Sequence, residues 1–304
     1  MVGLARWKRH VRLAVVILSS RLGIATALLA LAPRAEAQSR RVLASDHPQA
    51  QLMGYYAAVM ALTPVGSAAP GLEIGGELSF IPSLSDDQRR VGFGGTKYQD
   101  TNRCPVLPRL RAARTGSLFT AEVGYVPPLR VCGVKANLLG VAVSAPLLSL
   151  HHDWRLALRV HALTGSLAAS ITCSADAVAD PADLVCYQGI PSDDRVRPLA
   201  LGADVILVHA GHRHPRLDLY GLVGVRRERV QFDVNFTNEV FIAPQLFDDH
   251  ERLEATLTRV HLAAGASYRL TRRFRAGAEL FHAPGALTTL RGRIGWLVGR
   301  SPAS

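Results

Sequence analysis

The sequence predicts an all-β fold: an antiparallel transmembrane β-barrel of about ten strands, within bounds of roughly eight to twelve, preceded by a short N-terminal helical or plug segment. Three observations predict it. Apolar and polar residues alternate from about Gly71 to Val298, in segments of roughly ten residues closed by Gly, Pro, Asp or Asn. The first 37 residues read as an export signal. After that signal no run of roughly 20 apolar residues is present to cross a bilayer as a helix, although 48% of the chain is hydrophobic.

Taken in order, residues 1–37 form the expected cleaved signal. Arg6, Lys8, Arg9 and Arg12 make its positive start, residues 22–33 its apolar centre, and Ala35-Glu36-Ala37 its cleavage site. Residues 38–70 are an N-terminal lead and short helix. Asp46 is placed to cap it and Pro48 to open it, and Leu52, Tyr55, Tyr56, Val59 and Met60 give apolar spacings of three and four. Residues 71–304 form the barrel. The strands expected there are 72–81, 117–126, 129–144, 154–163, 166–173, 199–208, 216–234, 253–269, 274–282 and 290–298. Pro127-Pro128, Thr164-Gly165, 210–215 and 270–272 are the expected short turns at one end. The outer loops are expected at 82–116, 145–153, 174–197, 236–250 and 283–288, with both termini at the turn end.

Aromatic residues on the apolar phase form the expected interface girdle. Tyr125, Tyr268, Phe274 and Trp296 are assigned to the turn end, with Trp154 and Phe119 at the opposite end. On the polar phase, Arg155, Arg159, Arg226, Arg259, Arg275, Arg291 and Arg293 are expected to face the lumen together with Glu122, Asp204 and Glu279. Charges inside a narrow barrel pair across it, because an unpaired buried charge is costly. A salt-bridged lumen is one reading; a narrow conduit preferring anions is the other, since Arg is in surplus.

The formal charge is +11; removing the signal's six basic residues and Glu36 leaves about +6. No Lys/Arg cluster interleaves with aromatics, so nucleic acid is excluded as a partner. Four cysteines in an exported chain point to disulfides. Cys173 and Cys186 bracket an Asp- and Pro-containing loop and are expected to pair; Cys104 with Cys132 follows by elimination.

Motifs for chemistry are weak. His209, His212 and His214 cluster, but in a turn beside Arg213 and Arg216, which repel a cation; no metal and no cofactor is expected. His152-Asp153 is similarly weak. Asp176, Asp180, Asp183, Asp193 and Asp194 lie in the loop 174–194, which itself holds no basic residue. They either keep it solvated or offer oxygen ligands for calcium. Ser170, His161, Asp153, His282 and Glu279 are not tied by any catalytic spacing, and G-x-S-x-G is absent.

The signal, the strand rhythm and the last strand, Leu290-Arg-Gly-Arg-Ile-Gly-Trp-Leu-Val298, together resemble a bacterial outer-membrane β-barrel protein. The last strand is similar to the signal that such barrels present to the assembly machinery. It departs from the pattern because the chain runs on to Ser304, so recognition would rest on Trp296. The resemblance implies a Gram-negative outer membrane reached through a cleaved signal, with outer-membrane lipid and the barrel-assembly machinery as partners. It leaves any ion or small-molecule substrate unknown. The expected function is a structural or interaction role or a narrow conduit, and not an enzyme. The alternatives are a secreted soluble all-β binding protein and a barrel enzyme acting on outer-membrane lipid.

Overall fold

The computed structural model describes residues 39–64, 70–151, 154–210, 216–235 and 250–298, all within the unit Ser39–Ser304. The expected signal peptide, His212 and His214, His152 and Asp153, and the tail after Val298 lie outside these residues. An extended segment β1 (Ser39–Leu43) leads into helix α1 (Pro48–Val59). Ten strands then close into an antiparallel barrel: β2 (Gly71–Phe80), β5 (Val106–Thr115), β6 (Thr120–Val126), β8 (Val134–His151), β9 (Trp154–Ala169), β10 (Asp194–Ala210), β11 (Leu217–Asn235), β12 (His250–Arg269), β13 (Phe274–Ala283) and β14 (Leu287–Val298). Each pairs with its neighbours in the chain, and β14 pairs with β2 to complete the ring. Between them lie α2 (Asp86–Arg89), a small hairpin of β3 (Arg90–Gly92) and β4 (Lys97–Tyr98), the short strand β7 (Arg130–Val131), and α3 (Ala175–Ala179).

The strand number matches the sequence reading, but two assignments behind it are corrected. Residues 106–115, read as loop, form β5. Thr164-Gly165, read as a turn, lies inside the continuous β9. With both corrections the connections alternate strictly. Residues 81–105, 127–133, 170–193, 236–249 and 284–286 fall at one end, the loop end. The short links 116–119, 152–153, 211–216 and 270–273 fall at the other, the turn end. Pro127-Pro128 therefore belongs to the loop end and the link after β8 to the turn end, the reverse of expectation. Tyr125 moves to the loop end, and Trp154 and Phe119 move to the turn end, beside Tyr268, Phe274 and Trp296.

Why Gly165 misleads is physical. A Cβ there would lie 2.1 Å from the Asn137 carbonyl oxygen on β8, and its φ of +142° is one that other residues avoid. The glycine permits a close backbone approach inside a strand and does not end it.

The outer phase of the wall is apolar. Val123, Leu158, Leu262 and Leu280 are 37%, 41%, 43% and 52% exposed, and Leu78, Leu110, Leu201, Val223, Val260 and Ile294 are exposed beside them. A shared soluble core would have covered the first four. The inner phase is polar and charged, the reverse of a water-soluble barrel. β10, β11 and β12 run 17, 19 and 20 residues, well past the roughly 9–11 that a spanning strand needs.

β1 runs parallel to β12 from Ser39 beside Glu251 to Leu43 beside Ala255, so it lies at the loop end. The sequence reading had put both termini at the turn end. α1 then enters the lumen, where Ala50 and Leu52 through Val59 are buried, as suits a helix apolar on all sides. Its cap is not the expected Asp46: His47 Nδ1 accepts from the Gln49 N–H at 3.2 Å, and Pro48 opens the first turn.

Gly165→Ala is expected to lower the unfolding free energy by about 1–3 kcal/mol, seen as an earlier urea midpoint. An unchanged midpoint would mean that the close approach of β8 and β9 is not required.

Candidate functional site: the plugged lumen

The inner wall presents a continuous chain of ion pairs. Arg109 Nη1 lies 2.9 Å from Glu77 Oε1, and Arg111 pairs with Glu77 and, at 2.9 Å, with Glu122. Arg159 Nε is 3.6 Å from Glu122 and its Nη1 2.7 Å from Asp204 Oδ2. Alternation aims all of these inward, and the register brings β2, β5, β6, β9 and β10 to one level. The side chains are almost wholly removed from solvent.

The same guanidinium groups hold the plug. After α1 the chain descends without regular structure, and its carbonyl oxygens need donors. Arg109 donates to Met60 O (2.7 Å) and Ala61 O (3.0 Å), and Arg159 to Leu62 O (3.2 Å). Arg111 donates to Thr63 O, Arg293 to Pro64 O (2.7 Å), and Arg291 to Thr63 Oγ1 (3.1 Å). Each carbonyl from Met60 to Pro64 thus accepts from an arginine of the wall. Higher up, Arg259 donates to Gln51 Oε1 at 2.7 Å.

The remaining expected lumen charges are placed as follows. Arg226 pairs with Glu228, and Arg259 approaches the same carboxylate at 3.9 Å. Arg275 pairs with Glu73 at 3.0 Å. Arg291 lies 3.6 Å from Glu279, which also accepts from the Tyr220 hydroxyl at 2.6 Å, and it stacks 4.3 Å above the Phe281 ring. Arg155 keeps the inward phase but is exposed beside the β8–β9 link.

A second cluster had no sequence signal. His161 on β9 and His261 on β12 converge on Asp204, their Nε2 atoms 3.3 and 2.8 Å from Oδ1. They reach it across two glycines. A Cβ on Gly202 would lie 2.5 Å from the His161 ring, and one on Gly224 would lie 2.1 Å from Asp204 and 2.6 Å from His261. The three donor atoms lie within 4.8 Å of one another, a set that suits a transition metal. Arg159, at 2.7 Å on the other carboxylate oxygen, already supplies the counter-charge. The trio is therefore read as the end of the ion-paired chain, with Asp204 accepting from Arg159 on one oxygen and bonded to His261 on the other, and His161 close by. No sequence spacing marks His261, because register brings it across β11 to Asp204. Arg109 and Arg111 were missed because β5 had been read as loop, whereas Glu73 and Glu77 lie on β2, within the expected strand 72–81, and had no partner in sequence to mark them.

At the loop end both disulfides are present, Cys104–Cys132 and Cys173–Cys186, with Cα separations of 5.3 and 5.4 Å. The acidic loop has internal partners. Asp194 accepts from the Ile171, Thr172 and Asn235 N–H groups and the Ser192 hydroxyl, and Asp183 pairs with Lys97 from the other loop. At the turn end, His209 packs against Trp154 with ring centroids 4.6 Å apart.

No protein-family model and no curated protein matches this chain. Among solved structures it is similar to the N-terminal β-barrel domain of Pseudomonas aeruginosa OprF, at 16% identity over 54% of this chain and 90% of that one, with a TM-score of 0.28. It is similar to Acinetobacter baumannii outer membrane protein Omp33, at 11% over 75% and 98%, with a TM-score of 0.29. It is also similar to the Escherichia coli outer membrane protease OmpT, at 9% over 78% and 97%, with a TM-score of 0.35. These are bacterial outer-membrane β-barrel proteins. At such scores the superpositions carry no argument, and the barrel stands on its own strand pairing.

Asp204→Ala removes the nearer carboxylate of Arg159, leaving Glu122 at 3.6 Å, and is expected to cost about 3 kcal/mol of unfolding free energy. Arg159→Met combined with Asp204→Leu is expected to cost less than Asp204→Ala alone. Equal losses in a denaturant titration would show that the pair is not coupled.

Proposed function

We propose that this chain is a bacterial outer-membrane β-barrel protein, sealed by its own N-terminal segment, whose disulfide-braced loop face serves as an interaction surface. In this reading a cleaved signal exports the chain. The turn end then faces the periplasm, Trp296 in β14 meets the assembly machinery, and outer-membrane lipid covers the apolar wall. The observation that carries the reading is the set of arginine hydrogen bonds to the five successive carbonyls of Met60–Pro64. A transport conduit would leave that segment of backbone free to move aside, and here the wall grips it.

The loop face supports the interaction role. Asn102 clamps Leu84 through both its backbone groups, each at 2.8 Å. Lys97 ties this loop to the one carrying Cys173–Cys186, so the face is braced before any partner arrives. An enzyme acting on lipid is disfavoured by position: His161, Asp204 and His261 are buried in the lumen.

The purified protein is expected to migrate faster unboiled than boiled and to be silent in planar-bilayer recordings. Removal of residues 48–64, or Arg109→Ala with Arg159→Ala, is expected to give steady conductance. An open channel in the unaltered protein would overturn the sealed reading, and soluble recovery without a heat shift would overturn the barrel in a membrane.

A further inference from the structure

The wall has a gap. β5 and β6 pair only from Leu110 beside Tyr125 to Thr115 beside Thr120. Residues 106–109 of β5 therefore have β2 on one side and no ladder on the other among the described residues. Pro108, which has no N–H to offer, lies in this half-paired stretch. Across the gap stands the β7–β8 hairpin, turned at Cys132 and Gly133, whose φ values are 50° and 78°. Cys132 is joined there to Cys104, just before β5, so one disulfide clips the two sides of the opening together.

Behind the gap is a cavity of about 790 Å³, within the range of small-molecule sites. Its floor is the end of α1 and its cap, through Tyr55, Tyr56 and Met60, and its inner walls include Leu107, Val126 and Ala136. Leu78, Leu110 and Ile294, which point outward and are exposed, line it as well. The cavity thus joins the C-terminal half of α1 to the apolar outer surface. Most of its lining is apolar; the charged groups at its border, Glu77 with Arg109, Asp100 with Arg103, and Arg293 on Pro64 O, are already engaged, and two buried hydroxyls are not. The Tyr56 hydroxyl and Thr101 Oγ1 are buried and make no hydrogen bond among the described residues. A buried hydroxyl left in this state costs roughly 1–3 kcal/mol, which a ligand's acceptor would recover. Burial holds the Tyr56 phenol well above its usual range, so it keeps the proton it would donate. Tyr55, pushed up to about 12, is already engaged, donating to Pro82 O at 2.6 Å.

We infer that this cavity is a lateral binding site for a single-chain amphiphile, entering from the bilayer through the gap between β5 and β6. Its chain lies along Leu107, Val126 and Ala136, and its hydrogen-bond-accepting head meets Tyr56 and Thr101. The inference rests on the barrel standing in a membrane, because that is what brings chains to the outer mouth. Occupancy leaves the plug in place: the ligand lies beside α1, above the carbonyls held by Arg109 and Arg159.

The test is titration of the detergent-solubilised full chain with dansyl-labelled undecanoic acid, against protein-free micelles. Saturable binding near one per chain is expected. Leu107→Trp fills the cavity and is expected to weaken binding about tenfold or more. Tyr56→Phe removes one donor and is expected to weaken it about twofold to tenfold. Val223→Trp, on the outer wall of β11, is expected to leave it unchanged. Heat shift reports folding of every variant separately. Absence of saturable binding by a heat-modifiable protein, or equal affinity across Leu107→Trp, Tyr56→Phe and the parent, would overturn the site while leaving the barrel intact.

Discussion

The guanidinium groups of the inner wall set the terms for everything else in this molecule. An arginine carries five N–H donors in a rigid fork, so one side chain can neutralise a carboxylate and still serve a carbonyl. Arg109, Arg111 and Arg159 do both, each bonding an acid of the wall and a backbone oxygen of the plug. Neither partner is optional. Without the acids the guanidinium groups would be buried charges, and without the guanidinium groups an irregular backbone would cross the lumen with unpaired oxygens. Lysine, a single point charge, would not satisfy both.

That double use explains a limit of reading charge from sequence. The surplus of arginine over acid on the inner phase was legible, and it pointed either to pairing or to an anion-preferring lumen. Main-chain carbonyls appear in no charge count. The plug itself was half legible: the apolar spacing of Leu52, Tyr55, Tyr56, Val59 and Met60 marked a short helix. That the helix is enclosed on all sides depends on the ring of strands around it, and on Gly54, which leaves room for Arg259.

The barrel was legible because alternation is a local property. The strand boundaries were less so, for two opposite reasons. In β5, Pro108 and three arginines in six residues mask an alternating strand, and the proline is tolerated only because that stretch is paired on one side. In β9, Gly165 imitates a turn while serving a close contact with β8. The two errors offset each other in the count and inverted the placement of Tyr125 and Trp154. The His161–Asp204–His261 trio lay beyond reach altogether, since it requires the lateral register of four strands to be known.

The path of the chain through its own barrel has a topological consequence. β1 lies at the loop end, α1 and residues 60–64 lie in the lumen, and β2 begins at the turn end. The seam between β2 and β14 therefore closes a ring with a helix and an irregular segment held inside it. A stopper made from a separate loop can swing out on a hinge. One enclosed in this way is withdrawn only lengthwise, by drawing residues 39–64 along the axis or by parting the seam, and either route breaks the arginine contacts in succession.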